Sequence, residues 1–141
     1  MPNDAIYGNW KLLAVKWVFS DNGEVMVPFG DTPVGYIAIT RDDRLTTVIT
    51  AQDRSPNAGE TPEAAMIRTM FAYSGALRIE GSRFIATVDA AWHPDYVGTE
   101  QVRNFEIDGD RLTIATSETI LPAVPDRLAV AYLEWTRAAK G

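Results

Sequence analysis

Cysteine is absent from this 141-residue chain, and histidine occurs once. Those two gaps exclude disulfides, thiolate nucleophiles, thiolate metal sites and any multi-histidine metal centre. No motif supports an all-carboxylate site either, so neither a metal nor a cofactor is expected. Basic residues are the minority, with 13 Lys and Arg against 19 Asp and Glu. The resulting net charge of −6 argues against a nucleic-acid surface and against attraction to anionic lipid. No apolar run is long enough to span a bilayer, and Met1-Pro2-Asn3-Asp4-Ala5 lacks the basic and apolar regions of a signal peptide. The expected location is therefore the cytoplasm. Serine-nucleophile motifs, glycine-rich phosphate loops and nucleotide fingerprints are missing as well.

What is present is an ordinary globular composition, 46% apolar and 23% charged. The length suits one domain over residues 1–141, burying roughly two-thirds of its unfolded surface. Most of the chain reads as β-rich runs broken by turn residues. Gly8-Asn9-Trp10 leads into an apolar run to Phe19, ended by Ser20-Asp21-Asn22-Gly23. Glu24 to Phe29 reads as a short strand. Val34–Thr40 and Leu45–Thr50 flank Arg41-Asp42-Asp43-Arg44 as a hairpin whose register a two- or three-residue turn would set differently. Thr61-Pro62-Glu63 has the marks of a helix start, and Met66, Ile67, Met70, Phe71 and Tyr73 recur at helical spacing. A helix over Pro62–Tyr73, packed against or capping one end of the molecule and ended by Ser74-Gly75, is the expectation.

Ala76–Ile79 and Arg83–Trp92 form a further hairpin. Its parity groups Phe84, Ala86, Val88, Ala90 and Trp92 with Leu77 and Ile79. Glu118–Asp126, with Pro122 and Pro125, reads as a loop. A last strand over Arg127–Arg137 puts Ala131, Leu133, Trp135 and Arg137 on one side. Lys16 shares parity with Trp10 and Leu12. The sum is an antiparallel barrel of about 8–10 strands with one short helix.

The most informative hairpin is Gly98–Ala115. Asp108-Gly109 between β-rich runs predicts a two-residue turn, placing Phe105 opposite Leu112 and Arg103 opposite Ile114. Alternation then gives one face Phe105, Arg103 and Gln101 with Leu112 and Ile114. That face is the apolar one. A guanidinium there must be ion-paired or hydrogen-bonded, or must open onto water or a ligand.

Gly8-x-Trp10 at the start of the first strand, with Arg137 near the end of the last, resembles the lipocalin arrangement. In that family an arginine stacks across the indole and closes one end of the barrel. Closer still is the bacterial and fungal lipocalin-like domain family, of calycin type. Its pattern is matched by Gly8-Asn9-Trp10-Lys11-Leu12, Gly35-Tyr36, Tyr73-Ser74-Gly75, Pro94 through Arg103, Gly109-Asp110-Arg111-Leu112, and Leu133-Glu134-Trp135-Thr136-Arg137. The family pattern carries a histidine in the strand before the proline, where this chain reads Ile85-Ala86-Thr87-Val88. A role resting on that histidine is therefore absent. The resemblance implies a cup-shaped barrel holding a small apolar or aromatic molecule, in a family that includes cofactor-free catalysts of secondary metabolism.

The expected ligand-binding residues are Tyr36, Tyr73, Leu77, Phe84, Trp92, Gln101, Arg103 and Phe105, with Trp10 and Arg137 structural. In the principal reading a small hydrophobic or aromatic ligand has its polar group held by Arg103 and Gln101. The alternative is a cofactor-independent isomerase, lyase or cyclase in which Arg103 stabilises an oxyanion while His93, Asp95 or a tyrosine moves the proton. Within it Arg103 ranks above His93, which sits in a rim loop. A third reading, an interaction module without a ligand, predicts a filled interior and an exposed apolar patch. Self-association into a homodimer stays open.

Overall fold

The computed structural model describes residues 2–120 and 126–138. Eight long antiparallel strands follow one another around a barrel: β1 (Gly8–Phe19), β3 (Val34–Thr40), β4 (Arg44–Thr50), β5 (Met70–Glu80), β6 (Arg83–Ala91), β7 (Glu100–Asp108), β8 (Arg111–Ala115) and β10 (Leu128–Arg137). Pairing of β1 with β10, from Trp10↔Arg137 to Phe19↔Ala129, closes the ring and leaves no long edge exposed. Two short strands, β2 (Val25–Met26) and β9 (Thr119–Ile120), extend β1 and β10 at the rim. Of the loop expected over Glu118–Asp126, residues 121–125 lie outside the described ones.

One end of the barrel is plugged. The 3-10 turn Pro2–Ile6 folds across it, with Ile6 and Trp10 fully buried. The indole N–H of Trp10 donates to the Ile6 carbonyl at 2.9 Å. The Arg137 guanidinium stacks 3.7 Å from the Trp10 ring centroid and donates to the carbonyls of Tyr7 (2.9 Å) and Ala5 (2.6 Å). Gly8 lies at φ +121°, and a Cβ there would sit 3.1 Å from Arg137 Nη1. Glycine is therefore required both by its backbone and by the cation packed against it.

The turns settle registers that spacing left open. In the β7–β8 hairpin Asp108 pairs with Arg111 and Phe105 with Ile114, so the turn is Gly109-Asp110 rather than Asp108-Gly109. Only Gly109 has positive φ, at +60°, whereas the expected turn type needs it at both central residues. The slip moves the pairing by two residues, so every side chain keeps its face. β3 and β4 are joined by three residues, and Asp43 at φ +65° supplies the left-handed position such a loop uses.

The helix expected over Pro62–Tyr73 is shorter. Helix α1 runs Pro62–Arg68, with Thr61 accepting from Ala64 N–H at 3.1 Å as its cap. Thr69 ends it, and from Met70 the chain is already paired with β4. Phe71, Tyr73, Gly75 and Leu77 alternate as strand residues, because three- and two-residue spacings coincide over so short a stretch. The helix buries only Ala65, and Met66 and Ile67 stay exposed. It packs against β5 and stands at the end opposite the plug.

Two bulges reset side-chain parity on the way to that open end. In β1 the register shifts between Leu12 and Ala14, so Val15 and Trp17 turn inward. Lys16 thereby faces outward and lies 3.5 Å from Glu134, contrary to its parity with Trp10. In β6 the register shifts by one at Asp89, where Ser74 pairs with Ala90 and Gly75 with Val88. Ala91, opposite Tyr73, takes the inward place expected for Trp92.

If the plug closes the barrel as described, Arg137→Ala removes a cation–π contact and two charge-assisted hydrogen bonds. A loss of about 2–3 kcal/mol is expected in urea unfolding. An unchanged midpoint would show that the turn Pro2–Ile6 holds the end closed without it.

Candidate functional site

Between the plug and the open end lies a cavity of about 180 Å³. Its deeper wall is made by buried Val15, Ile37, Ile49, Tyr73, Phe84, Ile114 and Trp135. Half-buried Trp17, Phe29, Phe71, Tyr96 and Thr116 form its outer part, so the space reaches the surface. For scale, a protein cavity of about 150 Å³ accepts benzene. One aromatic ring with a small substituent suits this volume.

The wall is apolar apart from a few groups, and among the described residues the only formal charge on it is Arg103. Arg103 stands opposite Phe84 in the β6–β7 ladder and lines the cavity. Its guanidinium is held from one side. Nη2 donates to Gln101 Oε1 at 2.7 Å, and Nη1 donates to the Val102 carbonyl at 2.8 Å. Gln101 Nε2 in turn donates to Thr99 Oγ1 at 2.9 Å, and that hydroxyl donates to the Tyr96 carbonyl at 2.6 Å. Among the described residues no carboxylate pairs with Arg103. Of five N–H donors, two are used by described residues.

Two tyrosines accompany it. Tyr73 is 6% exposed, and desolvation pushes its phenol above the ordinary range, only partly opposed by the Arg103 charge. Burial also raises Tyr96, again against Arg103. Both rings therefore carry protonated hydroxyls at neutral pH. Phe71 meets Tyr73 and Tyr96 edge-on, each at 5.5 Å between centroids, and Trp92 packs 4.8 Å from Phe71 and 4.7 Å from Tyr96. The indole N–H of Trp92 donates to the Ile67 carbonyl at 3.1 Å, tying α1 to this aromatic cluster.

Several expected site residues thus lie together, and others do not. Tyr73, Phe84 and Arg103 line the cavity; Leu77 and Phe105 are core residues outside its wall. Gln101 contributes through Arg103 rather than by lining the space. Tyr36 is 51% exposed on the outer face of β3, since alternation gives the inward places to Gly35 and Ile37. Trp92 supports the mouth from behind Phe71 and Tyr96. His93 caps the turn Pro94–Tyr96, its Nδ1 accepting the Asp95 N–H at 3.2 Å, a role open only to the unprotonated nitrogen. It is not part of the wall, and Asp95 is largely exposed. Trp17, Phe71, Tyr96 and Trp135 line the cavity without having been singled out for it. The bulge hid Trp17 and the helical reading hid Phe71. The inward parity of Trp135 was the signal that pointed to it.

Among the described residues, no group of three His, Cys, Asp or Glu side chains is gathered that could hold a metal ion. No helix among them is long and apolar enough to cross a membrane.

No curated protein matches the chain. The family model for the lipocalin-like domain, however, matches residues 7–138, from the residue before Gly8 to the one after Arg137. With the closed eight-stranded barrel and the plug of Trp10 and Arg137, that match establishes that the chain belongs to the lipocalin-like domain family.

Proposed function

We propose that the protein binds a small aromatic or hydrophobic molecule, one ring in size, inside the barrel. Its polar group, anionic or carbonyl, meets Arg103, and Gln101 holds the guanidinium in position. The observation that carries this reading is a cavity-lining arginine with no carboxylate partner among the described residues. A charge placed on an apolar wall is costly unless something complements it. The protein supplies part of that complement through Gln101 and the Val102 carbonyl, and a ligand oxygen would supply the rest. A filled interior, as an interaction module would have, is not what the barrel contains.

The same arrangement supports a second reading, a cofactor-independent isomerase, lyase or cyclase. Arg103 would stabilise negative charge developing on a substrate oxygen, an effect worth about 3–4 kcal/mol for one preorganised donor. The favouring observation is the protonated Tyr73 hydroxyl beside Arg103 on the same wall, a better placed proton carrier than His93.

Tryptophan fluorescence reports binding directly, because Trp17 and Trp135 line the cavity. In a titration with one-ring aromatic acids and phenolic ketones, saturable quenching is expected. Arg103→Met should weaken binding by about 10–100-fold, the value of a charge-assisted hydrogen bond or two. Binding that survives this substitution unchanged removes the anchor role, with thermal melting of the same variant showing that it folds. Ala131→Leu is the test of place. It adds three carbons to a 6%-exposed residue of the wall and should abolish binding while the protein still melts cooperatively. Retained affinity would put the ligand elsewhere. In the catalytic reading, His93→Ala should leave turnover near the starting rate and Arg103→Met should abolish it, measured as kcat/KM; the reverse ranking contradicts that reading.

A further inference from the structure

The polar groups on the cavity wall are uneven in kind. Arg103 only donates. Trp135, 1% exposed and part of the wall, has an indole N–H that is buried and unpartnered among the described residues. An indole N–H also only donates. Tyr73 is almost fully buried, lines the cavity, and makes no hydrogen bond through its hydroxyl to any described residue. The Thr116 hydroxyl accepts from Ala131 N–H at 3.0 Å, which leaves its own proton free to be donated. Thr47 is the exception, since its hydroxyl already donates to the Tyr36 carbonyl at 3.1 Å. Among the described residues neither a carboxylate nor an amine lines the space.

Buried donors left without acceptors are rare in folded proteins, and each one costs stability. Among the described residues the Trp135 indole is one such donor, and Arg103, Tyr73 and Thr116 bring further donors to the same cavity, whose one formal charge from those residues is positive. The natural complement has acceptor oxygens only and a negative charge. A neutral amide would bring N–H donors that only the hydroxyl oxygens of Tyr73, Thr116 and Thr47 could accept, and would leave the Arg103 charge unanswered. A cationic ligand would oppose Arg103.

We infer that the cavity selects the anionic form of a one-ring acid, a carboxylate or phenolate, and that Tyr73 is a second donor to its oxygen alongside Arg103. This rests on the binding reading above and narrows it, since that reading admits neutral carbonyl compounds equally. Tyr73 is therefore a specificity residue. Removing its hydroxyl affects the choice between anion and neutral molecule more than affinity for the ring.

Two probe sets test this on the full chain. The first compares benzoate with benzamide, which match in shape and differ in charge and donors. Benzoate is expected to bind at least about ten-fold more tightly, equivalent to about 1.4 kcal/mol. The second uses 4-nitrophenol, whose phenolate absorbs in the visible and which titrates near neutral pH. In the presence of excess protein its apparent pKa should fall by about one unit, because phenolate is then favoured about ten-fold over phenol. Both readings on the unaltered protein decide the charge preference before any variant is made. Tyr73→Phe, which keeps the ring contact with Phe71, should cut the benzoate-to-benzamide ratio about three- to ten-fold and leave benzamide affinity in place. Equal binding of benzoate and benzamide, or an upward shift of nitrophenol, overturns the inference and leaves the binding reading standing. An unchanged ratio in Tyr73→Phe overturns the part given to Tyr73. If no probe of either charge binds, the binding reading itself fails and this inference with it.

Discussion

A closed barrel leaves each side chain two places to go, inside or outside, and the alternation of the strands decides which. Everything about this molecule follows from how that rule is kept at one end and reset at the other. Near the plug, parity runs unbroken. Trp10, Leu12, Ile39, Leu45, Leu112 and Trp135 are all buried, and the interior there is solid. Toward the open end, the bulges at Leu13 and Asp89 exchange the inward residues. Lys16 and Trp92 lose the inward places that unbroken parity gave them, Lys16 turning out toward Glu134, while Val15, Trp17 and Ala91 come in. A bulge also bends its strand and increases the local twist.

Two arginines show what the interior does with a cation. Arg137 is absorbed by structure: an indole face beneath it and two backbone carbonyls take its charge at the closed end. Arg103 is treated differently. The chain from the Tyr96 carbonyl through Thr99 and Gln101 ends on one of its nitrogens and fixes its position, yet leaves most of its donors unclaimed. Every link of that chain has a donor facing an acceptor, so its direction is set and its last free groups are N–H bonds. The contrast is chemical rather than positional, since both residues sit on inward faces of adjoining parts of the same barrel.

The fold was largely legible in the chain because local rules and global demand agreed in most strands. Asp-Gly and Gly-Ser turns, alternating apolar runs and the Gly8-Asn9-Trp10 opening all point to an antiparallel barrel. The site was legible only where alternation is uninterrupted. Arg103 and Phe84 were placed inside because no bulge separates them from their hairpin turns, and even a misplaced turn at Asp108 moved the register by two and preserved the face. Trp17, Lys16 and Trp92 lie beyond bulges, and a single extra residue reverses everything after it. Nothing in the identity of Leu13 or Asp89 announces that. The segment Met70–Tyr73 failed for another reason. Five large apolar residues in the eight from Met66 to Tyr73 satisfy either period, and pairing with β4, a contact remote in sequence, decides for strand.

The central claim is that Arg103 meets a ligand oxygen inside the barrel. Crystals of the protein soaked with 4-bromobenzoate test it most directly, because anomalous scattering from bromine fixes the orientation of the bound molecule. The account predicts one bromine peak within the apolar wall and the carboxylate against the Arg103 guanidinium. A bromine peak confined to the outer surface, or a cavity-bound molecule whose carboxylate turns away from Arg103, would contradict it.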